Sequence, residues 1–309
     1  MSQAWVKIAD LPEGADVGAI AASPEGYGLV GIGVSGDGDD VSEGLRRSRA
    51  SILRATPDGV VQAYEGAGWI VGLDGSGPVW FAVGAMLQRG RGGSDYRLLR
   101  SLDGGRRWED RGPVGARSVK SVLAIDEQVA WVHGATVLAA TADGGKSWSA
   151  IPAPGERDQT RERLRRDRGA AVLVCDGQVL VFASGGATFE KHELPGESAW
   201  DVADGRVLLT SDAGDMTIAS LDAQAAAAPV TVPKKGRLGL RLVAEGSLLR
   251  VLSRGADPAE GARMMLHRSE DAGRSWLHAN LAVSSRCDIA GPSSGIGADV
   301  AGGLYVPRQ

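Results

Sequence analysis

Three stretches of this chain repeat one phrase: Ser101-Leu-Asp103-Gly-Gly105-Arg-Arg-Trp108, Thr141-Ala-Asp143-Gly-Gly145-Lys-Ser-Trp148 and Ser269-Glu-Asp271-Ala-Gly273-Arg-Ser-Trp276. The shared pattern, Ser/Thr-x-Asp-x-Gly-x-x-Trp, is turn chemistry. The hydroxyl and carboxylate bond the backbone of a tight turn, and the glycine accepts a positive φ. The tryptophan opens the next strand and packs beneath the turn. Trp108 and Trp148 stand 40 residues apart, and Trp148 and Trp276 stand 128 apart, which is three periods of about 43. Decayed copies fall at that period. Ser184-Gly-Gly-Ala-Thr-Phe189 has lost the aspartate, Ser220-Leu-Asp222-Ala keeps the first half, and Arg54-Ala-Thr56-Pro-Asp58-Gly59 keeps the turn before a strand at 60–64. These make six turn-plus-strand units, and a seventh is divided between the termini. The start, Trp5-Val-Lys-Ile-Ala-Asp-Leu-Pro12, reads like the strands that follow the phrases, whereas the C-terminus has no final strand of its own. The N-terminal strand is therefore expected to complete the last unit and close a ring, which removes two exposed sheet edges.

The phrase resembles the Asp-box, or bacterial neuraminidase repeat, of sialidase-type β-propellers. The resemblance covers the repeat framework of the whole chain and implies an all-β, seven-bladed β-propeller, with six blades and a long insertion as the alternative. It places blades at roughly 12–66, 67–112, 113–153, 154–195, 196–234 and 235–283, and a last blade from 284–309 plus 1–11. Within that framework the Asp-box residues Ser101, Asp103, Gly105, Trp108, Thr141, Asp143, Gly145, Trp148, Ser269, Asp271, Gly273 and Trp276 are structural.

The totals agree with one domain of this kind. There are 45 glycines, apolar strands of alternating pattern and no long helical period. A net charge of −4 argues against nucleic-acid binding, and no apolar run is long enough to span a membrane. The first residues lack the apolar core of a signal peptide, so a cytoplasmic chain, expected as a monomer, is the reading. High Ala, Gly and Arg content looks like a GC-rich bacterial source. Cys175 and Cys287 are the only cysteines, and both are expected as buried free thiols. Trp80 and Trp131 are expected at matching places on the second strands of their blades.

Functional expectations rest on the blade geometry. In this resemblance the links between second and third strands emerge on the face opposite the Asp-boxes, and the long ones, 35–49, 88–95 and 254–262, belong to blades 1, 2 and 6, which with blade 7 between 6 and 1 crowd one sector of that face. Loops on a rigid scaffold are where binding residues collect, although neutral insertion also fits. In this sector Arg46, Arg47, Arg49, Arg89, Arg91, Tyr96, Arg254 and Arg263 are candidates for an anion clamp, because guanidinium forks match carboxylates. Asp37, Asp39, Asp40 and Glu43 are candidate Ca²⁺ ligands, with a solvated acidic loop as the plainer reading and no cofactor expected otherwise. The run 157–168 invites two readings. As a strand it would turn Arg161, Arg163 and Arg165 into the central channel at period two. As a solvated excursion or short helix it would cover the channel mouth, and this is the simpler of the two.

The resemblance offers an enzyme and a binder. A sialidase-like hydrolase of an acidic carbohydrate needs an arginine triad, a Tyr–Glu pair and an acidic partner. The chain has no Phe/Tyr-Arg-Ile/Leu-Pro phrase near its start, and its tyrosines are only Tyr27, Tyr64, Tyr96 and Tyr305. The preferred expectation is a non-catalytic propeller, similar to photosystem II assembly factors or sortilin-like receptors, that docks a protein or a small anionic ligand or glycan on the long-loop face.

Overall fold

A computed structural model describes residues 5–34, 48–87, 94–116, 118–135, 137–151, 162–183, 188–211, 213–222, 228–233, 236–255, 264–281, 286–290, 294–298 and 303–307. The regular elements among them are all β-strands. The N-terminal strand β1 (Trp5–Asp10) is followed by a sheet of β2 (Ala15–Ala22), β3 (Gly28–Val34), β4 (Arg49–Thr56) and β5 (Gly59–Ala67). The next comprises β6 (Trp69–Ser76), β7 (Val79–Leu87), β8 (Ser94–Ser101) and β9 (Glu109–Pro113), and the third β10 (Val119–Ala124), β11 (Ala130–Gly134), β12 (Leu138–Thr141) and β13 (Ser149–Ala150). A six-stranded sheet holds β14 (Arg163–Asp167), β15 (Ala170–Phe182), β16 (Phe189–Ala203), β17 (Arg206–Thr210), β18 (Met216–Ser220) and β19 (Val230–Val232). Then come β20 (Gly236–Glu245), β21 (Leu248–Gly255), β22 (Met264–Ser269) and β23 (Leu277–Asn280). The last sheet joins β24 (Arg286–Ala290), β25 (Ser294–Ala298) and β26 (Gly303–Pro307) to β1.

Ring closure follows the sequence pattern. β1 pairs antiparallel with β26, from Trp5 opposite Pro307 to Asp10 opposite Gly303, so the two ends of the chain share a sheet. Ile8 and Leu11 pack into the apolar cluster of Val30, Ile32, Ile296 and Leu304 beside it.

The repeated turns show why their residues are fixed. Ser101 Oγ donates to Asp103 Oδ1 at 2.9 Å and accepts from Gly105 N at 2.9 Å, while Asp103 Oδ1 accepts from the Arg106 and Arg107 backbones. Thr141 and Asp143 repeat this geometry, as do Ser269 and Asp271 with Gly273 and Ser275. The third turn has an alanine, Ala272, at the position of Gly104 and Gly144, and it takes a φ of 58°. Glycine is required twice over at the fifth position. Gly105, Gly145 and Gly273 have φ of 78°, 94° and 90°. A Cβ on each would lie 2.8, 2.3 and 2.1 Å from Leu29, Leu98 and Val230 of the preceding unit. Trp108 and Trp276 donate Nε1 to the carbonyls of Gly105 and Gly273. The turns also dock onto the link between first and second strands: Gly104 N bonds Pro78 O, Gly144 N bonds Gln128 O and Ala272 N bonds Ser247 O. The decayed copy keeps this tie through Leu221 N and Gly205 O at 2.9 Å. All these turns therefore share one face, and the links between second and third strands leave on the other.

Two expectations need correction. Within the arginine run, Arg163–Asp167 is neither excursion nor helix but a strand that pairs along β15, because Leu164 finds a buried place between sheets; residues 157–161 lie outside those described. β16 runs across the boundary placed at 195/196: its first part pairs mainly with β15 and its second part with β17. Trp80 and Trp131 do not occupy matching places. Trp80 lies opposite Ser101 of its repeated turn, whereas Ala130 lies opposite Thr141 and Trp131 opposite Ala140. This one-residue offset sends the two indoles to opposite sheet faces, Trp80 toward Leu29 and Trp131 toward Phe182.

Candidate functional site: a charged central channel

β2, β6, β10, β14, β16, β20 and β24 all line one central cavity of about 820 Å³. Small residues let these strands converge: a Cβ on Gly18 of β2 would lie 2.0 Å from the carbonyl oxygen of Ile70 on β6. The lining is polar and predominantly basic. Lys120, Arg163, Arg165, Arg166, Arg241 and Arg254 face the cavity with Asp74 and Asp288, and Asp201 lies behind Arg165 and Arg241 in the wall.

A belt of hydrogen bonds and ion pairs runs round the wall. Arg165 Nε donates to Asp201 Oδ1, and Asp201 Oδ2 accepts from Leu242 N at 2.7 Å. Arg241 lies 3.8 Å from Asp201 and 3.2 Å from Asp288, and Asp288 accepts from Ala22 N at 2.9 Å. Across the cavity Asp74 accepts from Ala124 N at 2.8 Å. Arg166 reaches past β10 to donate to Ser76 Oγ at 3.0 Å. The belt thus joins β14, β16, β20, β24 and β2 in one series, and β6, β10 and β14 in another. Burial works against the charge of Arg241, but Asp288, Asp201 and Asp74 outweigh it and hold the guanidinium pKa above its ordinary value. Burial pushes the Asp74 carboxyl upward, against the pull of the Ala124 amide and the nearby arginines. A carboxylate in this wall is stable only because it takes a backbone donor and a cation together.

Arg163 and Arg254 stand outside the belt. β14 runs from the long-loop face toward the repeated-turn face and β21 runs back, so Arg163 at the start of one and Arg254 near the end of the other share the long-loop end of the channel. The Nε atoms of both are buried and have no hydrogen-bond partner. Burial lowers the Arg163 pKa, Arg165 lowers it further, and Asp201 only partly compensates. Its guanidinium lies over the Trp200 indole at 5.8 Å, and Trp200 Nε1 is likewise buried without a partner.

Of the residues singled out in the sequence, the structure brings Arg163, Arg165 and Arg254 to the channel. Arg49 begins β4, the third strand of its sheet, exposed and 3.7 Å from Glu65. Tyr96 packs half-buried on the cluster containing Val83, Leu98 and Val114. Arg46, Arg47, Arg89, Arg91, Arg161, Arg263, Asp37, Asp39, Asp40 and Glu43 lie outside the described residues. Among the described residues no group of three or more His, Cys, Asp or Glu side chains is placed to hold a metal ion, and no helix is long and apolar enough to cross a membrane. Cys175 is buried, and the Cys287 side chain is not among those described.

Sequence reasoning missed Asp74, Asp201, Asp288 and Arg241. A signal for the acids was present: each is a lone carboxylate inside an otherwise apolar innermost strand, as in Leu73-Asp74, Trp200-Asp201-Val202 and Asp288-Ile289. It also missed two buried polar chains. His133 Nε2 lies 2.6 Å from Glu162 Oε2. Ser253 Oγ lies 2.8 Å from His267 Nε2, and His267 Nδ1 lies 2.7 Å from His278 Nδ1. Histidines scattered in sequence meet here because β22 and β23 pair His267 with His278. Ser253 and His267 are both fully buried, which gives this Ser–His contact no access to a substrate.

No family model matches the chain. No curated protein matches it. Solved structures do, over nearly the whole chain. YCF48 bound to D1 peptide is 17% identical, with a TM-score of 0.65 over 99% of this chain and 97% of that one. YCF48 from Cyanidioschyzon merolae is 16% identical, with a TM-score of 0.61 over 98% of each chain. BamB from Moraxella catarrhalis is 15% identical, with a TM-score of 0.55 over 100% of this chain and 99% of that one. At these identities the likeness establishes the fold, and the fold is a β-propeller.

Proposed function

We propose that the chain is a non-catalytic binding propeller that docks a protein partner at the long-loop end of its channel. The observation that carries this reading is the channel itself, a cavity of about 820 Å³ where basic side chains outnumber acidic ones in a protein of net charge −4. Such a concentration of one sign inside low-dielectric walls draws an oppositely charged group. Ligand sites favour concave, pre-formed places where a few polar groups converge. The similar fold solved with a bound peptide supports a peptide-binding use of the architecture. The repeated turns are read as Asp-boxes, and the six-stranded sheet is counted as two blades, which gives seven. The described lining contains no tyrosine and no glutamate, the pair on which sialidase-type chemistry is built.

The test is a peptide array of acidic and neutral segments probed with the full-length protein, alongside assays on sialoside and uronate substrates. Saturable binding of acidic peptides, weakened by salt, is expected. Turnover of either glycoside would overturn the reading.

A further inference from the structure

We infer that Arg163, Trp200 and Arg254 form a carboxylate-binding subsite at the long-loop end of the channel. This names the chemistry of the binding reading above and rests on it for the existence of a partner.

Three arginines of the cavity are already engaged. Arg165 is bound to Asp201, Arg241 to Asp288, and Arg166 to Ser76. Their charges hold strands together and are not free for a ligand. Arg163 is only two residues from Arg165 on the same strand, faces the same cavity and has no acceptor for its Nε. Arg254 comes from a different sheet, faces the same cavity and has the same deficiency. Buried donors are nearly always satisfied, so each orphan asks for an explanation. Two guanidinium Nε atoms without acceptors at one end of one cavity share a single explanation, an anion that completes both.

The chemistry favours a carboxylate. The Nε and one Nη of a guanidinium form a planar fork that matches the two oxygens of a carboxylate. Stacking over Trp200 occupies the face of the Arg163 group and leaves its edge for such an acceptor. Trp200 Nε1 adds a third unpartnered donor beside Arg163. The carboxylate can belong to a free small acid or to a peptide, and the recognising groups would be the same.

Succinate, inorganic phosphate and a hexapeptide with a free C-terminus are titrated into the full-length protein by calorimetry, with the C-terminally amidated hexapeptide as control. The variants are Arg163→Gln, Arg254→Gln, Trp200→Phe and, as an exposed control, Arg274→Gln. Each arginine variant should weaken the carboxylate probes by at least about tenfold, the loss expected for a charge-assisted hydrogen bond. Trp200→Phe should weaken them less, and Arg274→Gln not at all. Thermal melts check folding: Arg163→Gln should lose no more than its stacking on Trp200, and Arg254→Gln should leave the midpoint in place, because its Nε has no acceptor to lose. Succinate binding alone assigns the site to a small acid. Preference for the free over the amidated hexapeptide assigns it to a chain terminus. Equal affinities in wild type and arginine variants, or phosphate bound as tightly as succinate, would overturn the subsite. If acidic peptides on the array bind undiminished to Arg163→Gln, docking stands and the subsite falls. If the array is silent while succinate binding depends on both arginines, the subsite stands and docking falls.

Discussion

The repeated turns and the channel wall are made by the same sheets, yet they solve their electrostatics differently. In the turns every partner of the aspartate side chain lies within four residues. Asp143 takes the backbones of Lys146 and Ser147 and the hydroxyls of Thr141 and Ser147, and these bonds hold its pKa below the usual carboxylate range. In the wall every partner is remote. Asp201 meets Arg165 across 36 residues and Leu242 across 41, and Asp288 meets Ala22 across 266. The turns are self-contained and can be copied from unit to unit. The wall exists only when the ring is closed, and its charges are compensated in pairs that no single unit contains.

Removing residues 1–11 tests this contrast most severely. It takes away β1, opens the edge of β26 and frees the packing around Ile296. Cooperative unfolding is expected to disappear, or its midpoint to fall by more than about 10 °C, although all three repeated turns remain intact. A melt that does not change would mean that the wall forms without closure. Next in size is Asp201→Ala. It strands Arg165 and Arg241 beside a buried vacancy, and breaking such a pair costs about 3–5 kcal/mol, measurable by denaturant unfolding. A cost below about 1 kcal/mol would show that the belt is incidental. Ser101→Ala should cost less, about 1–3 kcal/mol, since it leaves the buried Gly105 amide without its acceptor. The damage should stay local, with no change in any ligand affinity, and a shift in carboxylate binding would contradict the separation of turn from channel.

The smallest effect is a pH dependence. Ser275 holds the Asp271 pKa down to about 2 from an ordinary value of 3.8, with help from Ser269. A depressed carboxylate adds stability that is present above its unfolded pKa and lost as pH falls through the folded one. The stability of wild type relative to Asp271→Asn should therefore shrink between about pH 4 and pH 2 and be constant above that window. Asp74 has the opposite sign: burial raises its pKa, so its contribution declines as pH rises through the folded value. A stability advantage of wild type over Asp74→Asn that shrinks on acidification instead would reverse that assignment.

The turns, the ring closure and the all-β architecture were legible because their chemistry is local. A hydroxyl, a carboxylate, a glycine and a tryptophan at fixed offsets leave few alternative conformations. Register was less legible. Trp80 and Trp131 look equivalent in sequence, but one residue of offset in a period-two element reverses the face, and the links between their first and second strands differ in length. The strand at Arg163–Asp167 was obscured by its composition, since four charged residues in five look solvated unless a charged channel awaits them. The carboxylates that make the channel tolerable were visible only as single aspartates within apolar strands.

By itself, then, the sequence determined where the chain turns, how often it does so and which end closes the ring. Arg163 and Arg165 are the same residue type, on the same strand and facing the same cavity, and nothing local distinguishes them. Only the tertiary structure decided that Arg165 is neutralised by Asp201 while Arg163 keeps an unmet donor. Hydrogen bonds inside a turn are fixed by covalent distance, whereas charge compensation acts through space and depends on which strands the closed ring brings together.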